Sequence, residues 1–159
     1  MAVWQEFFVV MAGAAAVLLG LVFVGESIQT AGRAKSGLHW DLAFSSATSL
    51  FYAFVTALAM LIPEGRPVAQ GVIVAVFGAL GLGSSRGAVG AARSGAWSRP
   101  LFRFGLPLAA MIVLIGAGIG LVAGWEPSVW LIAGAALTHI VTGTQNAWDL
   151  LLGATVKTD

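Results

Sequence analysis

Apolar residues run along the chain in five long stretches, each close to the roughly 20 residues that a helix needs to cross a bilayer core. The first, 7–26, is bounded by Glu6 and Glu26, whose 20 positions of separation correspond to roughly 30 Å at the helical rise. The second, 42–62, follows Asp41 and stops at Pro63-Glu64-Gly65-Arg66-Pro67, where two prolines prevent the helix from continuing. The third, 68–85, passes through Gly83-Ser84-Ser85-Arg86 into a small-residue, arginine-bearing connection that ends at Arg99-Pro100. The fourth, 104–125, carries Pro107 near its start, where a missing backbone donor costs least, and the fifth, 128–152, is introduced by Glu126-Pro127-Ser128. The pattern predicts an all-α, polytopic transmembrane helical bundle of five spans that occupies 1–159 as a single domain. The first run has no Lys or Arg ahead of it, so it is expected to be a retained span and not a secretory signal.

Composition moves the solvent from water to lipid. A hydrophobic share of 58% with 9% charged residues leaves too little polar surface to cover a soluble domain. The net charge of +1 gives no reason to expect a nucleic-acid partner, and the bilayer itself is the expected one. The chain has no cysteine, which removes disulfides, thiolate metal sites, iron–sulfur clusters and cysteine nucleophiles.

The few basic residues give the spans a direction, because Lys and Arg accumulate in short cytoplasmic loops. Arg33 and Lys35 follow span one, Arg86, Arg93, Arg99 and Arg103 follow span three, and Lys157 follows span five. Only Arg66 falls on the other side. Five spans place the first seven on one face, with the N-terminus outside and the C-terminus cytoplasmic. Indole favours the headgroup region, and Trp4, Trp125 and Trp130 then fall at the outer interface, with Trp40, Trp97 and Trp148 at the inner one.

Polar side chains inside hydrocarbon need a partner or water, so their alignment shows which helix faces look inward. Ser45, Ser49, Tyr52 and Thr56 on span two follow one another by four, three and four residues, and Thr138, Thr142, Gln145 and Asp149 on span five repeat that spacing. His139 and Asn146 flank the second stripe. With spans two and five antiparallel, the two stripes are expected to face each other as a polar path. Glu26, Asp41 and Asp149 then rim a cytoplasmic vestibule. The competing use of these residues is structural: hydroxyls bonded to their own helix, amides bonded to neighbouring helices, and a neutral His139 donating to a carbonyl or threonine. His139 lies 11 residues into span five, near mid-membrane, where charging it is costly. Gly116, Gly120 and Gly124 form a GxxxGxxxG run expected to seat another helix, and Gly13-Ala16-Gly20 and Gly71-Ala75-Gly78 offer similar small faces.

No cofactor is expected. His39 at the interface and His139 at mid-membrane lie at depths that one subunit cannot combine into a paired-imidazole haem site. Gly81-Leu82-Gly83-Ser84-Ser85-Arg86-Gly87 lacks the lysine and preceding strand of a phosphate loop. No metal-binding or hydrolase motif occurs, and His139 and Asp149, ten positions apart or roughly 15 Å along one helix, cannot act on one atom. An enzyme is therefore the third-ranked expectation.

The stretch Glu6-Phe7-Phe8-Val9-Val10 through Gly20-Leu21-Val22-Phe23-Val24, with Asn146-Ala147-Trp148-Asp149-Leu150-Leu151, resembles small bacterial polytopic membrane proteins. That resemblance implies a bacterial cytoplasmic membrane and brings no activity with it. The leading expectation is a channel or carrier for ions, cations favoured by the acids, or for a small solute, with its path between helices two and five. The alternative is a non-catalytic membrane subunit or regulator, self-associated or held in a larger membrane complex through its small-residue faces and its Arg86 to Arg103 loop.

Overall fold

A computed structural model of the protein describes residues 2–30, 37–63, 67–85 and 105–151. These form five helices: α1 (Ala2–Thr30), α2 (Gly37–Met60), α3 (Pro67–Ser84), α4 (Leu106–Val122) and α5 (Ser128–Leu151). No strand occurs among the described residues. The basic residues used to orient the chain, with Trp97, lie outside the described residues. His39, Trp40 and Asp41 lie within α2 but outside the side chains described.

Three helices, over Trp4–Ser27, Ala43–Met60 and Pro67–Ser84, are long and apolar enough to cross a membrane. α4 is a shorter apolar helix, and its 17 residues reach roughly 26 Å. α5 has 24 residues, long enough by rise alone, but Thr138, His139, Thr142, Thr144, Gln145, Asn146 and Asp149 dilute its apolar character. The bundle wears apolar side chains on its outside. Val68, Val72, Val76 and Leu80 form an exposed i, i+4 column along α3, and Val10, Val17, Leu21 and Val24 are exposed on α1. Contiguous apolar surface on this scale is a liability in water and a solvation layer in lipid, so these apolar helices mark a membrane-embedded protein.

Neighbouring helices follow the spatial order α1, α2, α5, α4, α3. α2 and α5 are antiparallel, since Ser45 meets Asn146 while Tyr52, further along α2, meets the earlier His139. α3 and α4 are antiparallel as well, Gly71 lying against Gly118 and Val122, and Gly78 against Met111 and Ile115. Trp4 and Trp130 meet edge to face with centroids 4.6 Å apart, which puts the beginnings of α1 and α5 at one end. Gln70 Nε2 donates to the carbonyls of Met60 and Ile62 at 3.2 and 2.9 Å, closing the orphan end of α2 over the proline turn. The core between the helices is built from Phe8, Met11, Val74, Met111, Leu114 and Ile132 with many buried alanines, which let the helix axes approach.

The glycines of α4 divide their work differently from the spacing alone. α4 ends at Val122 because Gly124, at φ 78°, takes the left-handed C′ position of a Schellman turn. Trp125 N–H donates to Gly120 O at 2.8 Å and Gly124 N–H to Leu121 O at 3.1 Å, the paired bonds of that motif. Gly120 lies under this turn, where a Cβ would stand 2.6 Å from Ser128 Oγ and 3.0 Å from the Trp125 ring. Gly116 faces open space. The close helix contact instead runs through Gly118, against Gly71 and Ala75 on α3. Gly124→Ala should therefore cost about 1–2 kcal/mol, the penalty of left-handed backbone for an L side chain, measured as a lowered unfolding temperature in detergent. Gly116→Ala, in the helix interior, should raise it slightly.

Candidate functional site

The two polar helices close on each other. Ser46 Oγ donates to the carbonyl of Gly143 at 2.7 Å, and Asn146 Nδ2 donates to Ser45 Oγ at 3.1 Å. Gly143 makes this approach feasible, since a Cβ there would lie 2.8 Å from Leu50 Cγ and 3.2 Å from Ser46 O. Bonds between helices at this depth replace water that lipid does not supply.

All four members of the α2 stripe turn into the bundle: Ser49, Tyr52 and Thr56 are buried and Ser45 is half-buried. On α5 the face against α2 is centred one column away from the spaced stripe. Its members are Ala136, His139, Gly143 and Asn146, all buried. Thr142 is buried beside them, Thr138 and Asp149 are half-buried, and Gln145 is exposed on the outer side of α5. The physical reason lies in the hydroxyls. Thr138 Oγ1 donates to Gly134 O and Thr142 Oγ1 to Thr138 O, each at 2.8 Å, so both threonines are satisfied within their own helix and do not dictate its rotation. Small residues dictate it.

His139 sits at the centre of the seam, fully buried, with its ring 6.0 Å from that of Tyr52. Neither Nδ1 nor Nε2 has a hydrogen-bond partner among the described residues, and the buried Thr56 Oγ1 has none either. A neutral imidazole carries one donor and one acceptor, so the expected bond from this ring to a carbonyl or threonine is not formed. Leaving such a bond unmade in a dry interior costs roughly 1–3 kcal/mol, so His139 and Thr56 each hold a buried polar group at the expense of stability.

The acids lie at one end of the bundle, where α1 and α5 finish and α2 begins. Glu26 and Asp149 are half-buried, and each takes part in a further interaction. Asp41 is within α2 at the same end, outside the described side chains. The stripe spacing pointed to the seam but gave His139 and Asn146 only flanking places, although these two and Ser46 stand at its middle. The signal available for Ser46 was Gly143, a residue small enough to admit a hydroxyl from the facing helix. Comparison of the chain with protein-family models, with curated proteins and with solved structures finds no match.

Proposed function

We propose that the chain is a small carrier for a cation or a small polar solute in a bacterial cytoplasmic membrane, built as five spans with the N-terminus outside and the C-terminus cytoplasmic. The observation that carries this reading is His139, buried at the middle of the seam with neither ring nitrogen partnered among the described residues, while Thr56 on the facing helix keeps a buried hydroxyl that is equally without a partner there. Polar groups kept unsatisfied at the centre of a membrane bundle suit a site that a solute or proton occupies during turnover. A carrier is favoured over an open pore because Ser46 and Asn146 bond across the seam between the acid-bearing end and His139. That contact acts as the closed gate of one conformation, and release of two hydrogen bonds opens it. Five spans are supported by the alternating directions of the helices and by the Trp4–Trp130 pair at one end. The acids at the opposite end attract cations to the inner mouth.

Protein reconstituted in liposomes should take up small cations or solutes in a broad screen. His139→Gln should reduce the rate at least tenfold, and Asp149→Asn should reduce it severalfold by weakening capture at the mouth. Folded wild-type protein that moves nothing across the screen would count against the carrier.

An assembly role is the second reading, favoured by the open faces at Gly13 and Gly20 on α1 and Gly116 on α4. In it the chain is a non-catalytic subunit that packs against a copy of itself or a larger membrane complex. Gly116→Leu would then release a stoichiometric partner recovered by native purification, without lowering the stability of the isolated chain.

A further inference from the structure

A groove with a cavity volume of about 570 Å³ lies between the final turns of α1 and the first half of α2. It exists because Ala43 and Ala47, one turn apart on α2, present little bulk toward Val22 and Leu19 of α1. Phe23, Phe44 and Phe51 also line it, but they remain 61%, 72% and 45% exposed, so they stand as walls at its mouth and do not fill it. The volume falls in the range of small-molecule sites, roughly 300–1,000 Å³.

Polarity within the groove is concentrated in few groups. Ser27 Oγ is already committed to Phe23 O at 2.8 Å, so the feature that selects charge is the half-buried carboxylate of Glu26. The attraction is one of charge alone, since a phosphonium or quaternary ammonium has no N–H or O–H to donate, and it adds to the interaction Glu26 already makes. Aromatic faces attract cations as well as apolar bodies, so walls of phenylalanine reinforce the same selection. A phospholipid fits this lining poorly, since its phosphate would approach the carboxylate with like charge.

We propose that the α1–α2 groove binds a lipophilic organic monocation, of the aromatic phosphonium or quaternary ammonium class, with Glu26 as counter-charge and the phenylalanines around its apolar body. As an assignment of substrate class this rests on the carrier reading; as a binding site it does not. Tyr52 joins the two, because it lines the groove on one side and lies 6.0 Å from the His139 ring on the other. A cation entering sideways from the lipid would thus reach the wall of the buried seam without crossing the Ser46–Gly143 contact.

The test is equilibrium dialysis of tetraphenylphosphonium against the full chain purified in neutral detergent. Saturable binding near one per chain is expected, weakened at least tenfold by Glu26→Gln and abolished by Ala47→Trp, which fills the groove. Glu26→Gln is the milder change, and an unchanged helical spectrum certifies it even where Ala47→Trp does not fold. No saturable binding, equal binding by folded Glu26→Gln, or equally tight binding of neutral triphenylphosphine oxide would overturn the proposal. Displacement of the phosphonium by phosphatidylethanolamine but not by phosphatidylglycerol would also overturn it, by making a lipid amine the occupant. Glu26-dependent binding without uptake of any solute supports the site and overturns only the carrier. His139-dependent uptake without phosphonium binding overturns the site and leaves the carrier standing.

Discussion

Gly118→Val should lower the unfolding temperature by on the order of 10 °C, from an overpacking cost of about 3 kcal/mol in a chain of this size. The reason is the identity of the atoms a new side chain meets. A Cβ at Gly118 would stand 2.6 Å from Gly71 O and 2.7 Å from Ala75 N, both backbone atoms of α3 that no rotamer change can remove. Relief requires the helices to separate, which forfeits the dispersion contacts along the whole α3–α4 face. Gly71 mirrors the arrangement, its Cβ position lying 2.5 Å from Gly118 O. Gly116→Val, two residues away on the same helix, changes backbone propensity equally and meets nothing within 4 Å. It should shift the midpoint by a degree or two, set by propensities of under about 1 kcal/mol. Thermal unfolding followed by tryptophan fluorescence in detergent compares the two directly, and equal losses would show that α3 and α4 do not meet through this glycine.

That contrast also shows what the chain discloses before it folds. The apolar runs gave all five helices because length and hydropathy are local properties, and lipid enforces the helical hydrogen bonding within each run. The ends were less legible. α1 covers Ala2–Thr30, well past the apolar run, since hydrogen bonding does not stop where hydrocarbon stops. α4 stops at Val122, short of the apolar run, because Gly124 is claimed by a turn. A GxxxGxxxG spacing cannot say which of its glycines a turn will take, and Gly118, outside that spacing, is identified only by what Gly71 brings to it.

The polar stripes divide along the same line. Ser45, Ser49, Tyr52 and Thr56 turn inward together, and the antiparallel pairing with α5 was readable from alternation of the helices. Gln145 was not placed by its spacing. The rotation of α5 follows the residues that let α2 approach, Gly143 foremost, while Thr138 and Thr142 satisfy themselves wherever they point. The α1–α2 groove was invisible for a related reason, since Ala43 and Ala47 acquire meaning only opposite Val22.

His139→Leu should make the protein more stable and, on the carrier reading, inactive. Leucine has nearly the volume of the imidazole and no polar atoms, so the substitution removes from a fully buried place a donor and an acceptor that find no partner among the described residues. Each unmade bond costs about 1–3 kcal/mol, and a gain on the order of 2 kcal/mol is expected once imperfect repacking is allowed for. Thr56→Val repeats the argument at smaller scale. Its hydroxyl has no partner among the described residues, and the near-isosteric methyl should stabilise by about 1 kcal/mol. Thr142→Val supplies the control, because that hydroxyl already donates to Thr138 O at 2.8 Å and its loss should bring no gain. Unfolding midpoints of the three variants, read beside their uptake rates in liposomes, separate two uses of the seam. Stability that rises while uptake falls at least tenfold identifies groups retained for transport against the preference of the fold. A fall in both at His139 would mean that the ring makes bonds in the membrane that hold the bundle together, and the carrier reading would lose the observation on which it stands.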